Sequence, residues 1–256
     1  MRFCMRKDHR RLLFWSGACA LILGLGWGGY DLWSVHVERA RLRDRPISAD
    51  DLKLRDPNLT EDEWLDIQAR RLEPDDYESA QYLAWAFNRR KRYDRSYPLF
   101  VQAAKGGMVS AMIQLGYMCK SGTGTAKDPA AAYRWYGMAR ENGNLWGDLG
   151  VADCLEHGIG VPADPKQAFD IYHRLARLPD ARASNNLRVV GFASQHLGRC
   201  YLAGIGCESN RAEAVKHLTR AVGIPDTWGA DRRAYQMLKE MGAPLPSPPK
   251  KSAKWW

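Results

Sequence analysis

The chain has 256 residues, of which 45% are hydrophobic and 26% are charged, and its formal net charge is +9. This composition excludes a disordered tail and suits one large domain or a modest array of repeats. Residues 1–45 account for +5 of the charge and residues 46–256 for only +4, which argues against nucleic-acid binding because nucleic-acid binders concentrate basic charge on one face.

The first predicted element is a membrane span. Residues 12–30 contain no charge and as a helix would be about 28 Å long, close to the thickness of a bilayer's hydrocarbon core. Five basic residues precede this run, so we expect residues 1–11 to stay in the cytoplasm and residues 12–37 to form an uncleaved anchor. A cleaved signal peptide is the alternative, but small residues lie inside the run and bulky ones follow it.

A linker, residues 38–59, is predicted to lead into a helical domain over residues 60–243. Thr60 and Glu63 have capping-box spacing and predict a leading helix. Four helical units are expected at 79–107, 111–143, 147–178 and 192–223, the first of them degenerate. A capping helix is expected to end near Gly242, and the proline-rich tail 244–256 is predicted to be flexible.

The last three units share a Gly-x-Gly loop between two helices, beginning at Gly122, Gly158 and Gly204. In the first, "KSGTGTAKDP", Lys127 lies three residues past the second glycine, and no strand precedes the loop, so a phosphate-binding loop is not expected. The glycines instead suit a left-handed helix end, and the following Asp-Pro suits the start of the next helix. We interpret each loop as an elbow between two helices.

These residues carry a family resemblance. The unit "AMIQLGYMCKSGTGTAKDPAAAYRWYGMARENG" (111–143) resembles a Sel1-like repeat, a relative of the tetratricopeptide repeat, and so does the unit at 192–223. The unit at 147–178 matches in part, since Val151 and Ala152 replace Leu-Gly. The resemblance implies an all-α fold, a right-handed α-solenoid of Sel1-like and tetratricopeptide-like hairpins behind the N-terminal transmembrane helix.

No residue pattern indicates catalysis, a metal site or a cofactor, since the histidines lack HExxH spacing and the cysteines lack CxxC spacing. The predicted function is therefore non-enzymatic protein binding through the curved surface of stacked hairpins. We expect the first helices to line the concave side, with a partner contacting Tyr82, Trp85, Gln114, Tyr117, Met118, Asp153, His196 and Arg199.

Four cysteines lie in the repeat region, and an oxidising compartment would let them pair. Cys200 and Cys207, separated by a helix end and a turn, are the first pair to test. The alternative, that all four are small packed residues within helices, stays open.

The partner is suggested only by resemblance. Sel1-like repeats behind an N-terminal membrane segment are similar to periplasmic immunity proteins that block phospholipase effectors of type VI secretion. This implies a single-pass protein of a bacterial inner membrane, with its repeats in the periplasm and a secreted phospholipase-like effector as partner. The alternative is a scaffold or regulator of an envelope or polysaccharide assembly complex.

Overall fold

The computed structural model of the chain describes residues 59–179, 186–224 and 229–248, all within the compact unit Arg55–Trp256. Within these ranges the protein consists of α-helices and contains no strand. The helices are α1 (Glu61–Arg71), α2 (Tyr77–Arg89), α3 (Tyr93–Lys105), α4 (Val109–Ser121), α5 (Pro129–Glu141), α6 (Leu145–His157), α7 (Pro165–Ala176), α8 (Asn186–Ala203), α9 (Arg211–Gly223) and α10 (Ala230–Glu240).

Consecutive helices pack as hairpins. The pairs α2 and α3, α4 and α5, α6 and α7, and α8 and α9 contact one another, and each pair also packs on the next. Helix α1 precedes the array on α2, and α10 follows it on α9 and α8. The all-helical, solenoid-like fold predicted from the sequence is therefore confirmed, while the handedness of its superhelix stays a prediction.

The predicted membrane anchor, residues 12–37, lies outside the described residues, as do residues 1–11 and most of the linker. Among the residues that are described, none of the helices combines the length and the apolar character that a membrane crossing requires.

Helix starts follow the predicted capping chemistry. Thr60 and Glu63 form a reciprocal capping box at α1, in which the Glu63 carboxylate accepts from the Thr60 backbone N–H at 2.9 Å. Asp128 and Asp164 accept backbone N–H groups at 2.8 and 2.9 Å, each before a proline in the first helical turn. Asn210 caps α9 in the same way at 3.1 Å. Local sequence therefore fixes where these helices begin.

The two glycines of each elbow have different structural roles. Gly158 ends α6 with φ 67°, and an added Cβ there would meet only ordinary contacts, the nearest being Ala163 Cβ at 3.5 Å. Gly160 also has positive φ, 71°, but a Cβ there would overlap the carbonyl group of Pro129, the first residue of α5. The same relation joins Gly124 to Tyr93 and Gly206 to Pro165. The second glycine therefore lets each elbow dock on the start of the preceding unit's second helix.

Small residues let the helices pack closely around the buried aromatic rings. Gly116 on α4 and Gly150 on α6 both lie against the Tyr136 ring of α5, and a Cβ at either glycine would overlap that ring. Tyr172 occupies the corresponding place in the next unit and is fully buried. Large rings thus fill the space that glycine and alanine leave between the units.

Candidate protein-binding face

The first helices of the units share one set of corresponding positions along one side of each helix. Counted back from the residue that ends each helix, these are the eighth, fifth and second residues, and we call them together the first-helix face. They are Tyr82, Trp85 and Asn88 on α2; Gln114, Tyr117 and Lys120 on α4; Gly150, Asp153 and Glu156 on α6; and His196, Arg199 and Leu202 on α8.

Side-chain bonds join each first helix to the next. Ser110 on α4 donates to Gln81 on α2 at 2.7 Å. Lys120 Nζ then lies 2.7 Å from the Asp153 carboxylate on α6, and an Arg199 guanidinium nitrogen on α8 lies 2.5 Å from Glu156 Oε1. The first helices therefore lie side by side, as expected, and two ion pairs connect the last three of them.

Glu156 is the most deeply placed charge on this face, with a side chain 3% exposed. Its carboxylate accepts from the Tyr172 hydroxyl at 3.1 Å and lies 3.6 Å from His196 Nδ1, while the His196 ring stacks on Tyr172 at 4.6 Å. Burial by itself raises the pKa of Glu156, but the His196 hydrogen bond and the Arg199 charge outweigh it and lower the pKa below its usual value. The ionised carboxylate thus ties α6, α7 and α8 together.

Three side chains of the face are exposed, Tyr82 on α2, Tyr117 on α4 and Leu202 on α8. Asp153 contacts both Lys120 and His157, whose Nδ1 is 3.4 Å from the carboxylate, so the charges of α6 are matched within the protein. Tyr82 is 39% exposed and Tyr117 is 51% exposed. The part of the face on α2 and α4 therefore offers two exposed aromatic side chains, whereas the charges of Lys120, Asp153, Glu156 and Arg199 are paired with one another.

Among the residues predicted to contact a partner, Met118 does not lie on the surface. Met118 is fully buried, because it lies four residues before its elbow glycine, where the next two units have the fully buried Cys154 and Cys200. Trp85 is half-buried, with its ring edge-on to Phe100 at 5.2 Å. Of the other predicted contacts, Tyr82 and Tyr117 are exposed and Gln114, Asp153, His196 and Arg199 are half-buried on the face.

Sequence reasoning missed Lys120, Glu156 and Tyr172. The ion pairs could have been found from spacing, since Lys120 and Asp153 are 33 residues apart while Glu156 and Arg199 are 43 apart. The elbow glycines show the same difference of ten residues, since Gly122 and Gly158 are 36 apart and Gly158 and Gly204 are 46 apart. Opposite charges therefore recur at the same positions relative to the elbow glycine. Tyr172 gives no such signal, because an ordinary packed tyrosine has the same pattern.

The predicted disulfide of Cys200 and Cys207 is not formed in this structure, where both residues are thiols, and it stays a prediction. Burial, helped by the nearby Glu156 charge, raises the pKa of Cys200 to about 12, and burial also raises the pKa of Cys207. Among the described residues no group of three or more His, Cys, Asp or Glu side chains is arranged to hold a metal ion.

Comparison with known proteins gives this arrangement a family context. The family model for the Sel1 repeat matches residues 109–144, 148–180 and 193–222. A sel1-like repeat-containing protein of Acanthamoeba polyphaga mimivirus is 28% identical over 97 residues, which are 38% of this chain and 18% of the viral protein. The chain thus matches less than a fifth of that relative's length.

Two solved structures share the fold. A Sel1 repeat protein from Oxalobacter formigenes has a TM-score of 0.50 at 21% identity, over 67% of this chain and 68% of its own. A sel1 repeat protein from Klebsiella pneumoniae has a TM-score of 0.50 at 20% identity, over 73% of this chain and 85% of its own. At these identities the likeness concerns the fold alone.

Proposed function

We propose that this chain, whose residues 109–144, 148–180 and 193–222 match the Sel1 repeat family model, binds a protein partner through the first-helix face. Sel1 repeat proteins are generally protein-interaction modules, which supports this proposal. Repeat arrays of this kind present one long surface to which every unit contributes side chains. The role we propose is binding without catalysis.

The observation that carries this proposal is the exposure of Tyr82 and Tyr117 on the first helices α2 and α4, which the Ser110–Gln81 hydrogen bond joins. A tyrosine can bury large apolar area and still use its hydroxyl, which is why tyrosine is enriched at protein interfaces. The Lys120–Asp153 and Glu156–Arg199 pairs hold the neighbouring helices in place, so the surface is formed before a partner arrives.

Site-specific photo-crosslinking tests this proposal. A benzophenone side chain is placed at Tyr82 or Tyr117 in the full-length chain, and the matched control carries it at Leu245, which is 45% exposed and lies outside the first-helix face. We expect the same protein to be crosslinked from both tyrosine positions and not from Leu245. Crosslinking from Leu245 alone, or equally from all three positions, would refute the proposed face.

We further propose that the partner is a secreted phospholipase-like toxin and that the chain is an immunity protein of the periplasm. The support is the sequence architecture, an uncharged run behind basic residues followed by a Sel1 repeat array. Residues 12–37 would hold the chain in the inner membrane, and the array would block the toxin by covering its surface.

Two measurements test this second step. Alkaline phosphatase, which is active only outside the cytoplasm, is fused after residue 248, and activity is expected if the repeats face the periplasm. Cells that lack the chain are then exposed to a type VI phospholipase effector, with and without the Tyr82→Ala, Tyr117→Ala double variant supplied in trans. Survival that depends on the two tyrosines supports immunity. Survival without the chain contradicts it and favours the alternative scaffold of an envelope assembly.

A further inference from the structure

An open cavity of about 580 Å³ lies on α5. It is lined by Tyr133, Arg134, Gly137, Met138, Arg140 and Glu141 of α5 and by the buried Val151 of α6. Nothing lies within 4 Å of the point where a Cβ of Gly137 would be. The space above Gly137 is therefore open, because α5 has no side chain there.

The next unit fills the same place with its own side chains. On α7, Phe169 and His173 correspond to Tyr133 and Gly137, as the shared Tyr136 and Tyr172 positions show. The His173 ring stacks on Phe169 with centroids 5.9 Å apart and planes at 19°, and Tyr201 of α8 packs edge-on to Phe169 at 5.3 Å. In the unit at 111–143, Tyr133 has no stacking ring, because glycine stands where the unit at 147–178 has His173.

Two more substitutions keep this surface open. Leu155 lies three residues before its elbow glycine, where the following unit has Tyr201, so the edge-on ring is missing as well. Met138, 40% exposed, stands where α7 has Arg174, whose guanidinium reaches Asp148 at 2.8 Å. The unit at 111–143 therefore exposes an apolar surface that the corresponding side chains cover in the unit at 147–178.

We propose that this cavity, which we call the Gly137 notch, binds an aromatic side chain flanked by acidic residues in a segment of a partner protein. The ring would lie on Tyr133 over Gly137, as the His173 ring lies on Phe169. Acidic flanking residues suit the charge of the cavity's lining, which has two arginines, Arg134 and Arg140, and one carboxylate, Glu141. Asp148, the other nearby carboxylate, is already shared by Arg140 and Arg174.

The test uses the full-length chain with ¹³C-methyl methionine, so that the exposed Met138 methyl reports on the notch. The probe is an acetylated, amidated tripeptide with phenylalanine between two aspartates. Two matched probes replace the phenylalanine by alanine or both aspartates by asparagine. We expect the Met138 signal to shift saturably with the first probe, with about tenfold weaker binding of each matched probe.

Gly137→His supplies the ring that α7 carries and should abolish the shift while leaving the thermal midpoint unchanged or higher, since the glycine lies within a helix. Gly223→His is the control, because a Cβ there also meets nothing within 4 Å, and binding should be unaffected. Binding of the phenylalanine probe to Gly137→His, or equal binding of the alanine probe, would overturn the proposal. These outcomes are independent of the first-helix face, which the crosslinking experiment tests separately.

Discussion

The two glycines of one elbow should respond very differently to alanine. Gly158→Ala places a Cβ at φ 67° with only ordinary contacts around it, so the cost is that of a left-handed L-residue, about 1.5 kcal/mol. Gly160→Ala has the same backbone cost, and its Cβ also overlaps the Pro129 carbonyl and lies 2.7 Å from the Ala130 backbone nitrogen. Overpacking adds about 1–3 kcal/mol, so we expect a total loss of about 2.5–4.5 kcal/mol.

Urea unfolding of the full-length chain, followed by far-ultraviolet circular dichroism, measures both losses in the free energy of unfolding. The comparison requires a common m value, because an array of repeats can lose cooperativity when one interface is weakened. Equal destabilisation by the two variants would refute the reasoning, since it would mean that the second glycine matters only for its backbone angle. The pairs Gly122 with Gly124, and Gly204 with Gly206, provide independent repetitions in the same chain.

Three further predictions concern single side chains. Glu156→Ala should lower the free energy of unfolding by about 3 kcal/mol, because it leaves the buried Tyr172 hydroxyl and the half-exposed Arg199 without their acceptor. Glu156→Gln keeps an acceptor and should lower it by only about 1 kcal/mol. Similar urea midpoints for the two variants would contradict this prediction. His217 is buried, and desolvation lowers its pKa below 6.5. The unfolded chain therefore binds more protons than the folded chain, and stability should fall as the pH drops below about 6.5. If His217→Phe showed the same dependence of the thermal midpoint on pH between pH 7 and pH 5, His217 would not be the cause of the fall. Lys127→Ala should leave both the thermal midpoint and partner crosslinking unchanged, because the other two elbows have Ala163 and Ser209 at this position; loss of crosslinking would restore a functional role for the lysine.

The sequence was sufficient for the features that depend on neighbouring residues. Helix starts at Asp128 and Asp164 need only a side chain and a proline in the first turn, so their positions could be predicted locally. The elbow was also predictable, but the reason for its second glycine was not. That reason is a contact with the preceding unit, some thirty residues away, and no local pattern contains it.

The binding face was harder to predict because neighbouring units decide which side chains are covered. Tyr117 and Met118 are adjacent in sequence, yet the first is 51% exposed and the second is fully buried. Aligning the units on their elbow glycines would have excluded Met118, since Cys154 and Cys200 share its position. Glu156 is buried by Tyr172 and by residues of the following unit, so its environment exists only once the units have stacked.

The docking of each elbow on the preceding unit also affects whether the array can continue. A further elbow beyond α9 would need to reach Arg211, which follows its N-cap as Pro165 follows Asp164. Near that position the Arg211 side chain donates to the Met241 carbonyl at the end of α10, and α10 packs on α8 and α9. An engineered chain with extra units would therefore have to insert them before α10 to keep this packing.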